Sequence, residues 1–134
     1  MKNILKKVFY PVIFHIEDKG YSTFVPDIEG CYSQGDNMSE AVEMTQDAIG
    51  LMLEEYLESS KSLPLPSKIQ DIKKDKNDFI VMVEFDPINY LEKTNNKAIK
   101  KTLTIPNWLN LIAEKNRINF SQLLQKAIRQ ELNI

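Results

Sequence analysis

The side chains able to do chemistry fall into two groups, and the first is thin. The 134-residue chain carries one histidine, His15, and one cysteine, Cys31. His15 stands between Phe14 and Ile16 in an alternating run. General acid or base work needs a positioned partner, which the sequence does not supply, so His15 reads as a structural or surface residue. Cys31 has no second cysteine to pair with. It reads as a small buried hydrophobe, and a chain without an internal disulfide suits a reducing cytoplasm. Glu17, Asp27, Asp36 and Glu40 are the carboxylates that could gather divalent ions for phosphodiester cleavage. Asp27 and Asp36 flank turns, where aspartate serves backbone hydrogen bonding by itself. Glu40 lies three residues after Asn37, the spacing of a helix capping pair. None of the four needs a metal, and no glycine-rich phosphate loop or paired metal-ligand motif occurs. No catalytic residue, metal or cofactor is expected.

The second group is basic and lies at the other end. Residues 93–134 hold 8 lysines and arginines against 2 acidic residues, while residues 1–92 hold 9 against 17. The net −2 of the chain therefore divides into +6 and −8. A basic segment suits a polyanion, because lysines that displace counterions supply most non-specific nucleic-acid affinity. An acidic one repels nucleic acid and attracts a basic protein. The plainer reading, solvated surface charge, is preferred for Lys73, Lys74 and Lys76, which alternate with Asp71, Asp75 and Asp78.

The elements that must position the basic group can be read from periodicity. Residues 98–105 alternate, with Ile99, Leu103 and Ile105 on one side and Ala98, Lys100, Thr102 and Thr104 on the other, as a strand does. Pro106 ends the strand and suits the first turn of a helix. Residues 107–116 carry Trp108, Leu109, Leu111 and Ile112 at helical spacing. Asn119 is placed to cap a second helix over residues 120–132, whose apolar set is Phe120, Leu123, Leu124, Ala127, Ile128 and Leu132. A lone strand has no partner for its backbone groups, and so short a unit buries too little surface to stand alone. A second copy is the simplest remedy, giving a two-stranded ribbon on four helices.

This β-α-α unit resembles the ribbon-helix-helix family of DNA-binding dimers. The resemblance rests on the strand ending in Ile105-Pro106, the two helix patterns, and Asn119 and Ser121 at the second helix start. It implies that Lys100, Thr102 and Thr104 enter the major groove and contact bases, since a β-ribbon fits there. The amides of Asn119, Phe120 and Ser121 would hold a phosphate at the helix start. Lys97, Lys101 and Arg117 would be further backbone contacts.

The acidic part reads as strands over residues 8–17, 21–26 and 30–34, then a long helix from Asn37 to about residue 59. A proline-bearing loop, SSKSLPLPS over residues 59–67, follows, and residues 69–72 read as a short extended stretch. The apolar run FIVMVEF over residues 79–85 is a further strand, and residues 88–96 read as a linker with one helical turn near residues 88–91. The expected order is β-β-β-α-β, an α+β sheet with a helix on one face. The expected boundaries are a first domain over 1–88, a linker over 89–96 and a second domain over 97–134. The basic, then apolar start imitates a signal peptide, but Pro11 interrupts it and no small-residue cleavage site follows. No apolar run approaches the ~20 residues of a membrane span, and no membrane role is expected.

Pro26-Asp27, Gly30-Cys31, Gly35-Asp36 and Glu40-Ala41, followed by LPLPS and a hydrophobic strand, resemble the HicB antitoxin family. Glu29 departs from the pattern, since the family usually places proline before that glycine. The resemblance spans nearly all of residues 6–132. It implies a degenerate ribonuclease-H-like N-terminal domain and a C-terminal DNA-binding domain, here of the ribbon-helix-helix kind. It also implies a HicA-type partner, a small basic RNA-cleaving toxin neutralised by steric cover, and repression of the chain's own operon at a palindromic operator. A homodimer, or a larger even-numbered oligomer, follows from the ribbon. Two other readings stay open from the residues: a ribonuclease-H-like, metal-dependent nuclease tethered to DNA, and a ligand-sensing repressor with no toxin.

Overall fold

The computed structural model describes residues 6–134. The first five residues of the basic start lie outside it. The chain divides into two compact units, Met1–Asn96 and Lys97–Ile134.

The first unit is built on four antiparallel strands: β1 (Val8–Ile16), β2 (Tyr21–Phe24), β3 (Tyr32–Gly35) and β4 (Phe79–Phe85), in the order β3-β2-β1-β4. Gly20, at φ +82°, closes the β1–β2 hairpin, and the Glu17 amide donates to its carbonyl at 3.1 Å. That left-handed backbone admits glycine without strain. Pro11 sits in a central strand, where a missing N–H would ordinarily break a ladder. It stands opposite Met82, beyond the Ile13–Ile16 stretch that pairs with β2, so its nitrogen faces no partner strand.

One face of the sheet is covered by α1 (Met38–Glu58). Tyr10, Val12 and Phe14 of β1 and Val83 and Phe85 of β4 are buried with Ala41, Ile49 and Leu53 of the helix. At ~25 cal/mol per Å² of apolar surface removed from water, this shared core is the main stabiliser of the unit. The helix begins as the capping pair requires. Asn37 accepts the Glu40 amide at 2.9 Å, and the Glu40 carboxylate accepts the Asp36 amide at 3.3 Å. Inside the core, the Thr45 hydroxyl donates to the Ala41 carbonyl at 2.6 Å. The Thr23 hydroxyl therefore donates to Thr45 across 2.7 Å, and neither buried oxygen is left unpaired.

Three stretches differ from expectation. The third strand begins at Tyr32 rather than residue 30, because Gly30 takes φ +76° and turns the chain. Residues 69–72, expected extended, form a short 3₁₀ turn over Ile69–Asp71. The expected linker over residues 89–96 is mostly helix. Helix α2 (Pro87–Thr94) is capped by Asp86, which accepts the Asn89 amide at 3.1 Å. Its Tyr90 ring lies 5.8 Å from that of Phe85, and Tyr90 and Leu91 pack on the core. Proline at the first turn and a capping aspartate start the helix, and burial of two side chains holds it against its polar composition.

The second unit holds α3 (Asn107–Lys115) and α4 (Phe120–Leu132). Arg117, at φ 55°, makes the turn between them, and Asn119 accepts the Gln122 amide at 3.1 Å. Residues 98–105 form no strand ladder within the chain.

Candidate functional site

The side chains first considered for catalysis are dispersed and employed elsewhere. The His15 Nδ1–H donates to the Asp78 carboxylate at 2.6 Å, and the His15 side chain is more than half exposed. The Asp78 hydrogen bond, helped by the aspartate's charge, raises the imidazole above its ordinary pKa. Cys31 is buried, and loss of hydration pushes its thiol up to about 11, the opposite of a reactive thiolate. Glu17 accepts the Ser22 hydroxyl at 2.8 Å. Asp36 pairs with Lys19 at 3.4 Å, and Glu40 caps α1. Among the described residues, no three histidine, cysteine or acidic side chains gather as a metal site.

Asp27 has a structural task invisible in the sequence. It accepts the Ser67 amide at 2.9 Å and the Ser67 hydroxyl, while the Tyr10 hydroxyl donates to the Pro64 carbonyl at 2.6 Å. Burial, with the Asp27 charge adding to it, raises the Tyr10 pKa, so the phenol stays a donor. Two motif segments far apart in the chain, Pro26-Asp27 and LPLPS, are thus two halves of one clasp. Gly35 serves packing as well: a Cβ there would come within 2.2 Å of the Ala41 amide nitrogen.

The basic unit has the opposite character. No residue of α3 or α4 is buried. Ile99 is 84% exposed, Trp108 63% and Leu103 58%. Leu103, Ile105, Phe120, Leu123 and Leu124 line an open groove of about 510 Å³. Large apolar side chains left in water at this density mark an interaction surface. Lys100, Thr102 and Thr104 lie exposed on an extended run, alternating with Ile99, Leu103 and Ile105. Lys97 and Arg117 are exposed as well. Lys101 shares the parity of the apolar row, and it lines the groove together with Phe120 and Ser121. The structure therefore brings one lysine to the start of α4. The amides of Phe120 and Ser121 are among the first of that helix, which has no intrahelical acceptor for them.

Charge separates along the same division. Residues 1–96 hold 10 basic and 17 acidic side chains, and residues 97–134 hold 7 and 2. Among the described residues no helix is long and apolar enough to cross a membrane.

The family described as HicB_like antitoxin of bacterial toxin-antitoxin system matches residues 10–128. The chain belongs to this family. A 14.9 kDa protein from the rep-hol intergenic region of Haemophilus phage HP1 is 35% identical over 128 residues, covering 87% of this chain and 94% of the phage protein. Antitoxin HicB 1 of Photorhabdus laumondii is 39% identical over 67 residues, 49% of this chain and 43% of that antitoxin. Among solved structures, a toxin-antitoxin complex from Streptococcus pneumoniae matches at a TM-score of 0.58 and 32% identity, covering 94% of this chain and 99% of the other. The crystal structure of antitoxin HicB3 matches at 0.53 and 26% identity, covering 92% and 96%. The mixed α+β architecture of this HicB-family chain is thus that of known antitoxins. The family places it with type II antitoxins.

Proposed function

We propose that this HicB-family chain neutralises a HicA-type, RNA-cleaving toxin through its acidic unit and represses its own operon through its basic unit. The observation that carries the second half is the unburied second unit. Two helices with no buried residue, preceded by an alternating run with no ladder partner in the chain, are half of a structure. Pairing with a second copy lets residues 98–105 of each chain supply the other's missing backbone partners and covers Ile99, Leu103, Ile105 and the groove. The opposite row then faces outward as Lys100, Thr102 and Thr104 from two strands. A ribbon of this kind fits the major groove, where lysine and threonine bond base edges. The two-fold pairing calls for a palindromic operator. The amides at the α4 start suit a phosphate on the flanking backbone, with Lys97, Lys101 and Arg117 adding charge.

The first half rests on family membership and on the surplus of 17 acidic over 10 basic side chains in residues 1–96. A small RNA-cleaving toxin must carry a basic substrate-binding surface. An acidic partner that covers this surface excludes RNA by sterics and charge, with no chemistry of its own.

The test is a gel-shift titration against the chain's own operator. Thr102→Ala should weaken binding by ~1–3 kcal/mol, the scale of one base contact. Equal affinity of the two proteins would remove Thr102 from the reading surface.

A further inference from the structure

The outward face of α1 carries apolar side chains that the fold does not use. Ala41, Thr45, Ile49 and Leu53 turn the other face into the core. On the outward side Met44, Asp47, Leu51, Glu55 and Glu58 are all exposed, and their spacing of three or four residues sets them in one row along the helix. Met44 is 43% exposed and Leu51 63%. The two lie roughly 10 Å apart along the helix axis at the rise of an α-helix, with Asp47 between them and Glu55 and Glu58 beyond. Apolar anchors inside a polar rim are the anatomy of a protein interface.

The charge of the row gives the chemistry of the partner. Helix α1 holds 6 of the 17 acidic side chains of residues 1–96 and none of the 10 basic ones. A solvated helix face is supported by glutamate and lysine at i, i+4. Here Glu43 with Asp47, and Glu54 with Glu58, put like charges at that spacing, which destabilises a helix. The last turn, where the helix dipole favours cations, has no basic residue and carries Glu55 and Glu58. Among the described residues, no cation pairs with any of these carboxylates. Cations brought from outside would relieve each of these costs. A second copy of α1 would set carboxylate against carboxylate, and nucleic acid or an anionic membrane would be repelled in the same way. The face of the sheet opposite α1 gives no comparable sign, since Lys73 and Lys74 border it together with Asp75 and Asp78. We infer that the outward row of α1 is the surface that binds the basic toxin, with Met44 and Leu51 as its apolar anchors. This rests on the toxin neutralisation proposed above and adds the place where it occurs.

The test is to co-purify the full-length chain with a co-expressed HicA-type toxin and to titrate the separated partners. Glu55→Lys with Glu58→Lys should weaken toxin binding by about tenfold or more, the scale of close charge pairs across an interface. The same two substitutions suit the helix dipole. The midpoint of urea unfolding should therefore stay or rise, so that lost binding does not report a lost fold. Leu51→Ala should weaken binding as well, through the anchor rather than the charge. Asp71→Lys with Asp75→Lys makes the same change of net charge at exposed positions away from α1 and should change affinity little. Equal loss in the two double variants would make net charge the cause and overturn the row. Full affinity in both α1 variants would overturn it too. Full toxin affinity with altered operator binding in a gel shift would assign the row to the chain's own basic unit and overturn the toxin as its occupant. An unaltered chain that retains no toxin would refute the neutralisation itself, and this surface with it.

Discussion

The contact between His15 and Asp78 makes part of the stability of the first unit depend on pH. The hydrogen bond to Asp78, and then its charge, raises the imidazole above its ordinary 6.5. A raised folded-state pKa means that the pair stabilises the fold fully below the unfolded value. That contribution fades as pH rises through the folded value. Asp78→Asn should return the His15 pKa toward 6.5 in an NMR titration and flatten this part of the pH dependence of unfolding. An unshifted imidazole in the variant would remove Asp78 as the cause. His15 reads from its strand neighbours as a structural or surface residue, but its partner lies 63 positions away in the chain. The same holds for Asp27, whose turn position was legible and whose clasp on Ser67 was not. Side-chain partners brought together by a fold leave no periodic trace.

At the scale of elements, the capped helix α1, the first hairpin and β4 were legible because each repeats a physical signal: apolar spacing, a turn glycine, a capping pair. Helix α2 was not. Its composition is polar, and its stability comes from one helix packing on another. Gly50 of α1 carries that contact, since a Cβ there would lie 2.1 Å from Tyr90 Cε1. A glycine in mid-helix is a weak sign of such close approach. Gly50→Ala would ordinarily favour a helix by up to ~1 kcal/mol. Here the displaced Tyr90 ring should outweigh that gain and destabilise the unit by ~1–3 kcal/mol, the range for overpacking. Urea denaturation would measure the loss, and amide exchange should speed up selectively in α2. A stabilised variant would mean that the ring swings aside freely.

For the whole molecule, the two units differ in what they lack. The first unit has a closed core under α1, whereas no residue of α3 or α4 is buried. A break in the run over residues 98–105 should therefore be confined to one function. Leu103→Pro should abolish operator binding in a gel shift while the chain still co-purifies with a co-expressed HicA-type toxin at unchanged stoichiometry. Loss of toxin binding as well would show that the two units do not work separately.

Residue order alone marks the charge division, the α+β class, the alternating basic run and the family motifs, because each depends on neighbours a few positions apart. Packing in three dimensions decides the rest. It turns Pro26-Asp27 and LPLPS into a clasp, makes a helix of an expected linker, sets Lys101 in one groove with Phe120 and Ser121, and leaves residues 98–105 without a ladder partner in the chain. These outcomes depend on which distant groups meet, and on which backbone groups find no partner in the same chain.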